Sequence, residues 1–179
     1  MKSVSVGGLA VANDAPFTLF GGVNVLEDLD STLEACEAYV EVTQKLGIPF
    51  VFKASFDKAN RTSVNSFRGN GLESGLAVLA KVKKEFGVPV LTDVHETGHV
   101  AQVAEVADVL QIPAFLCRQT DLLVECGSQG RAVNIKKGQF LAADDMQFAI
   151  EKVTEAGTEN VLSTERGVLF GYRDLVVDM

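Results

Sequence analysis

Ile48-Pro49-Phe50-Val51-Phe52-Lys53-Ala54-Ser55-Phe56-Asp57-Lys58-Ala59-Asn60-Arg61 starts as an unbroken apolar run and turns abruptly cationic. Apolar on both faces, Ile48 to Phe52 reads as a strand buried on both sides, the kind found in parallel sheets. Two lysines, an arginine, a serine and an asparagine follow within nine residues. Unpaired charge is costly inside a core. A cationic cluster where a buried strand surfaces instead suits capture of phosphate or carboxylate. The chain carries a formal net charge of −8, so this island is not part of a generally basic surface.

Outward from this stretch the chain alternates strand-like and helix-like segments. Val4 and Val6, Gly7-Gly8, then Leu9 and Val11 predict a β-hairpin within residues 1–16. Residues 17–179 carry six βα units. The predicted strands are Phe17 to Phe20 (ended by Gly21-Gly22), Pro49 to Lys53, Val88 to Val94, Val109 to Pro113, Ala132 to Ile135 and Val161 to Thr164. The first helix is expected from about Asp30, capped by Asp30 or Ser31, and ends at Gly47. The second buries Leu72, Leu76, Leu79, Val82 and Phe86, leaves Lys81, Lys83, Lys84 and Glu85 outside, and stops at Gly87. Three shorter helices follow, around Val100 to Val106, Leu122 to Gly130 and Met146 to Gly157.

Strand–helix alternation implies a parallel sheet covered by helices. Rhythm alone admits a doubly wound sheet and a (β/α)8 barrel. Polar residues favour the barrel. Asn24, Lys53, Asp93, Gln111, Lys136 and Arg166 fall at or just past the ends of six successive strands. A barrel gathers all those ends at one mouth, whereas an open sheet concentrates function at one switch point. A barrel of this kind takes about 250 residues. Six units in a single domain are two short, so the reading expects a piece of a longer protein lacking its C-terminal third.

Composition narrows the class. With 47% hydrophobic residues and 179 positions there is chain enough for one core. No apolar stretch reaches the ~20 residues of a membrane span, and Met1 to Val6 lacks a signal-peptide block. Three cysteines, Cys36, Cys117 and Cys126, have no metal-type spacing and fit reduced thiols in the cytoplasm. An acidic chain without a basic face argues against nucleic acid.

Residues Phe52 to Arg61 also resemble the signature loop of the 3-deoxy-D-manno-octulosonate 8-phosphate (KDO 8-phosphate) synthase family. Arg68-Gly69 with Gly71-Leu72-Glu73, Thr92-Asp93-Val94-His95-Glu96, Gln111-Ile112-Pro113-Ala114-Phe115-Leu116, Arg118-Gln119-Thr120-Asp121, Asn134-Ile135-Lys136-Lys137 and Arg166-Gly167 extend the likeness in order. It runs from about Phe17 to the last residue. The resemblance implies a (β/α)8 barrel and condensation of phosphoenolpyruvate with D-arabinose 5-phosphate, a step of lipopolysaccharide biosynthesis. It also implies a homotetramer when full length, and two further βα units. A related synthase making 3-deoxy-D-arabino-heptulosonate 7-phosphate is the alternative, but its loop is of the Lys-Pro-Arg-Thr type, where this chain has Lys53-Ala54-Ser55-Phe56. An inactive truncated chain that only binds anions is a third reading.

Carried over residue by residue, the resemblance places Lys53, Ser55, Gln111, Lys136 and Arg166 around phosphoenolpyruvate, with the Ala114 amide, Phe115 and Arg118 nearby. Lys58, Asn60 and Arg61 handle the sugar phosphate, partly across a subunit boundary. Asp93 orients cations and sugar hydroxyls, or serves only as a structural partner for a lysine. Lys136 is the candidate for proton transfer or oxygen polarisation. The residue types support the substrate class independently, because two anionic substrates need several converging cations. Asn24 stands where metal-dependent relatives have cysteine, which points to the metal-independent class and no cofactor. Asparagine is a poor ligand for soft divalent metals. Lys136-Lys137-Gly138-Gln139-Phe140 and Cys117 resemble the metal-dependent branch instead. His95 and His99, four apart, have a metal-pair reading, against which His99 is expected to face solvent.

Overall fold

A computed structural model describes residues 3–172 and 174–177. Its centre is a six-stranded parallel sheet: β3 (Leu19–Gly22), β4 (Phe50–Lys53), β5 (Val90–Asp93), β6 (Val109–Ile112), β7 (Ala132–Lys136) and β8 (Val161–Thr164). The spatial order is the chain order, β3-β4-β5-β6-β7-β8, with every neighbouring pair parallel. A doubly wound sheet reverses order at a switch point. No reversal occurs here, so the sheet is part of a (β/α)8 barrel.

Five helices join the strands: α1 (Leu29–Leu46), α2 (Leu72–Phe86), α3 (Thr97–Val106), α4 (Thr120–Ser128) and α5 (Met146–Ala156). The strand period of two separates two faces. Phe50, Phe52, Val90, Leu110, Ile112, Val133 and Ile135 pack outward on the helices with Leu79, Val82, Val100, Val103, Leu123 and Val153. The inward set is graded along the strands. At their N-terminal ends it is apolar, with Phe20, Val51, Leu91, Val109, Ala132 and Leu162. At their C-terminal ends two of the same inward rows finish in Lys53 and Asp93 and a third in Gln111.

The apolar end is closed by the N-terminal hairpin. β1 (Val4–Val6) pairs with β2 (Leu9–Val11), Val4 opposite Val11 and Val6 opposite Leu9. Gly7 and Gly8 carry positive φ of 52° and 90°, as a two-residue hairpin turn requires. Val4 and Val6 are buried against the inward apolar ring, which the hairpin plugs.

Several expectations are corrected. β3 runs through Gly21-Gly22 instead of ending before them. α1 is capped by Asp28, whose Oδ1 accepts from the Ser31 N–H at 2.8 Å, not by Asp30 or Ser31. Lys83 is not outside: its Nζ donates to Asp108 Oδ1 at 2.8 Å and to the Val106 carbonyl at 3.1 Å. The apolar run near the C-terminus forms a second hairpin that the sequence reading lacks, β9 (Val168–Phe170) with β10 (Asp174–Val176).

Candidate anion-binding site

Above the polar ends of the strands lies a cavity of about 350 Å³. Lys53, Lys58, Asn60, Asp93, Gln111, Ala114, Phe115, Lys136 and Arg166, all expected from the sequence, line it together. Ala59, His95, Glu96, Pro113 and Leu116 complete the wall.

Each side chain has a definite support. Lys53 closes β4 and Asp93 closes β5, both on the inward row. Gln111 is held from below. Asn134 Nδ2 donates to Gln111 Oε1 at 3.0 Å, and Thr164 Oγ1 donates to Asn134 Oδ1 at 2.7 Å. Its oxygen engaged, Gln111 has its NH2 group left to offer. The sequence reading missed this polar layer of buried Asn134 and part-buried Thr164. Both lie on the inward row, and that register was the available signal.

The loop after β4 is tied down at several points. Arg68 Nε donates to Asp57 Oδ1 at 2.8 Å, the Lys58 N–H donates to the Arg68 carbonyl at 2.7 Å, and Gly69 lies with φ +131° against the Phe56 carbonyl, where a Cβ would have no room. Ser55 is fully buried beneath the cavity instead of lining it, and its Oγ accepts from Lys58 Nζ at 2.8 Å. His95 Nε2 lies 3.1 Å from Asp93 Oδ2. Lys58, Ser55, Asp93 and His95 thus form one polar cluster.

The electrostatics follow from crowding like charge in a partly dry cavity. Burial lowers the Lys58 ammonium below the ordinary lysine value; Asp93 opposes this, while Lys53, Lys136 and Arg61 add to it. Lys136 is lowered by burial, then by Lys53 and Arg166, with Asp93 again opposing. For Asp93 burial pushes upward, but the hydrogen bond to His95, the nearby Ser55 hydroxyl and the charges of His95 and Lys58 outweigh it. Its carboxyl ends below the usual range.

Three expected residues are elsewhere. Asn24 and Arg61 line a separate hollow with Glu27, Ser31 and Thr32, and Arg61 Nε donates to the Phe67 carbonyl at 3.1 Å. Arg118 lines another hollow, beside Cys117, Asp145, Phe148 and Lys152. His95 and His99 both meet the Phe56 ring edge-on, at centroid distances of 5.7 and 6.5 Å, and His99 is half-buried instead of facing solvent. Among the described residues no group of three or more His, Cys, Asp or Glu side chains is placed to hold a metal ion. Cys117 is a buried thiol. No helix among the described residues is long and apolar enough to cross a membrane.

The sequence pattern described as the DAHP synthetase I family matches residues 3–179. The chain belongs to that family. Within it, the chain is similar to proteins named 2-dehydro-3-deoxyphosphooctonate aldolase. It is 58% identical to that of Stutzerimonas stutzeri (strain A1501) over 178 residues, 99% of this chain and 63% of the relative. It is 59% identical to that of Colwellia psychrerythraea (strain 34H / ATCC BAA-681) over 179 residues, 100% of this chain and 64% of the relative. That of Azotobacter vinelandii (strain DJ / ATCC BAA-1303) is 59% identical over 178 residues. The chain therefore spans less than two thirds of the length of these curated relatives.

Proposed function

We propose that this chain carries the first six βα units of a KDO 8-phosphate synthase, which condenses phosphoenolpyruvate with D-arabinose 5-phosphate. One observation carries the reading. Lys53, Lys58, Lys136 and Arg166 converge on one cavity in a chain whose net charge is −8. Two anionic substrates meeting there need that many cations to overcome their mutual repulsion. The names of the relatives and the Lys53-Ala54-Ser55-Phe56 loop favour the octulosonate product; the family description keeps the heptulosonate synthase as the second reading.

In this reaction C3 of the enol ether attacks the sugar aldehyde, positive charge develops at C2, water adds there, and the hemiketal expels phosphate. Lys53, Lys136 and Arg166 hold the phosphoenolpyruvate carboxylate and phosphate, and Gln111 donates its NH2 to the same substrate. Asp93, kept ionised, accepts from sugar hydroxyls and steadies Lys58. Catalysis comes chiefly from positioning and from fixed charge. Arg61 is exposed and turned away from the cavity, which suits service to a second copy's site in a homotetramer. The setting is cytoplasmic.

The natural gene product should consume phosphoenolpyruvate only when a five-carbon aldose phosphate is present, measured by the loss of enol absorbance. Equal or faster turnover with erythrose 4-phosphate would transfer the protein to the second reading. Metal independence is part of the proposal, resting on Asn24 in place of a thiolate. Activity should survive a strong chelator. Inactivation by chelator with recovery on adding a divalent metal would reverse that assignment.

A further inference from the structure

Lys137 is a charged side chain buried to 1% exposure beside the cavity but not in it. Lys136 is the last residue of β7 and Lys137 directly follows it, so the two successive side chains leave on opposite faces. Lys136 enters the cavity, and Lys137 turns beneath the loops that follow β7 and β8. All three ammonium donors are used. Lys137 Nζ donates to the carbonyls of Gly138 (3.3 Å), Leu141 (3.2 Å) and Gly167 (2.9 Å), with Glu165 Oε1 at 3.6 Å. The Lys137 N–H donates to the Thr164 carbonyl at 2.9 Å, and the Leu169 N–H to the Gln139 carbonyl at 2.9 Å. Gln139 Oε1 then accepts from Arg166 Nη1 at 2.9 Å.

Fold stability alone does not explain this ammonium. β7 and β8 are already paired from Val133–Val161 to Lys136–Thr164. An apolar filler in a buried site is often as stabilising as an ion pair, or more so. What the ammonium does that a hydrocarbon cannot is bind carbonyls of both loops at once. One of those loops follows Lys136 and the other carries Arg166.

We infer that Lys137, acting with Gln139, is a positioning residue that clamps the loops after β7 and β8 together and so sets Arg166 against Lys136 for a phosphoenolpyruvate-like anion, with its carboxylate and phosphate. The inference rests on the proposed function. It assigns no contact between Lys137 and substrate. The clamp sits on the Lys136–Arg166 side of the cavity, away from Lys58 and Asn60. Loosening it should harm the two substrates unequally.

The test uses the natural gene product, its Lys137→Met and Gln139→Ala variants, calorimetric titration with phosphoenolpyruvate, and KM for each substrate. Misplacement of charged groups by a fraction of an ångström predicts about a tenfold or greater weakening for phosphoenolpyruvate in Lys137→Met. Gln139→Ala should weaken it by roughly threefold or more, with KM for the aldose phosphate moving less than about twofold in both. Gln139→Ala buries no orphaned charge, so it decides the matter if Lys137→Met does not fold. Unchanged phosphoenolpyruvate affinity in Gln139→Ala, or in a folded Lys137→Met, overturns the clamp, as does equal weakening for both substrates. A wild-type protein that neither binds nor consumes phosphoenolpyruvate overturns the functional reading and the clamp with it, a result distinct from wild-type binding that the variants share.

Discussion

Lys136 is the residue on which charge, burial and geometry bear most directly. It ends β7 on the inward row, half-buried, with Lys53 and Arg166 as like-charged neighbours. Its ammonium is therefore easier to deprotonate than an ordinary lysine. A bound carboxylate and phosphate reverse the balance by favouring the charged form, which raises the value again. Between the lowered and the ordinary value, binding must then draw a proton from solvent. Titrating phosphoenolpyruvate over a series of rising pH values, in two buffers of different ionisation enthalpy at each, should show net proton uptake that appears within that window. Lys136→Met should lose that uptake and about 3 kcal/mol or more of transition-state stabilisation while keeping a native circular dichroism spectrum. Proton release by the wild type, or full activity in the variant, would take Lys136 out of the anion site. Lys58 is lowered for similar reasons, but its Ser55 contact puts it on the other side of the cavity.

At the scale of elements, α2 illustrates how packing outside the cavity shapes it. Gly75 is buried in α2, where an added Cβ would lie 2.4 Å from Phe56 Cβ and 3.2 Å from Phe56 Cα. Those atoms are near the backbone and cannot swing aside. Alanine gains about 1 kcal/mol of helix propensity over glycine, and overpacking costs about 1–3 kcal/mol. Gly75→Ala should therefore lower the unfolding free energy by a net of about 1 kcal/mol, seen as a lower urea midpoint at an unchanged m-value. It should also weaken phosphoenolpyruvate binding, because Phe56 carries the chain into Lys58. A more stable variant with unchanged affinity would show that the helix yields instead. The same elements show what is legible in sequence. Gly47 and Gly87 end α1 and α2 in the left-handed conformation, as only glycine readily does, so both ends can be read. The start of α1 cannot, because Asp28, Asp30 and Ser31 are all competent caps and only geometry chooses Asp28. Strand-end charges such as Lys53 and Lys136 stand out because each closes an apolar run. Asn134 and Thr164 do not, since a polar residue inside a strand is recognisable as a cavity floor only once the register is known. Nor does residue order show that Arg61 and Arg118 point away from the cavity, since both lie in loops whose path no periodicity records.

Across the whole molecule, the sheet has two edges among the described residues: β3 pairs only with β4, and β8 only with β7. Free edges of parallel strands are templates for pairing. Next to one of them projects the β9–β10 hairpin, with Leu169, Phe170, Leu175, Val176 and Val177 each more than half exposed. A contiguous apolar ribbon of that kind marks either a contact or an aggregation liability. The floor of the sheet, at the N-terminal ends of the strands, is better sealed, since the β1–β2 hairpin plugs the apolar ring and Lys83 of α2 is tied to Asp108 just before β6. The imbalance predicts where association begins. The 179-residue chain expressed by itself should self-associate at micromolar concentration, as seen by light scattering, and turn over no substrate. Replacing Phe170 and Val176 together with lysine should delay the association without restoring turnover. A monodisperse, cooperatively melting 179-residue chain with synthase activity would refute this. It would mean that the two free edges are satisfied by another copy, or that six strands suffice to hold the cations of the cavity in place.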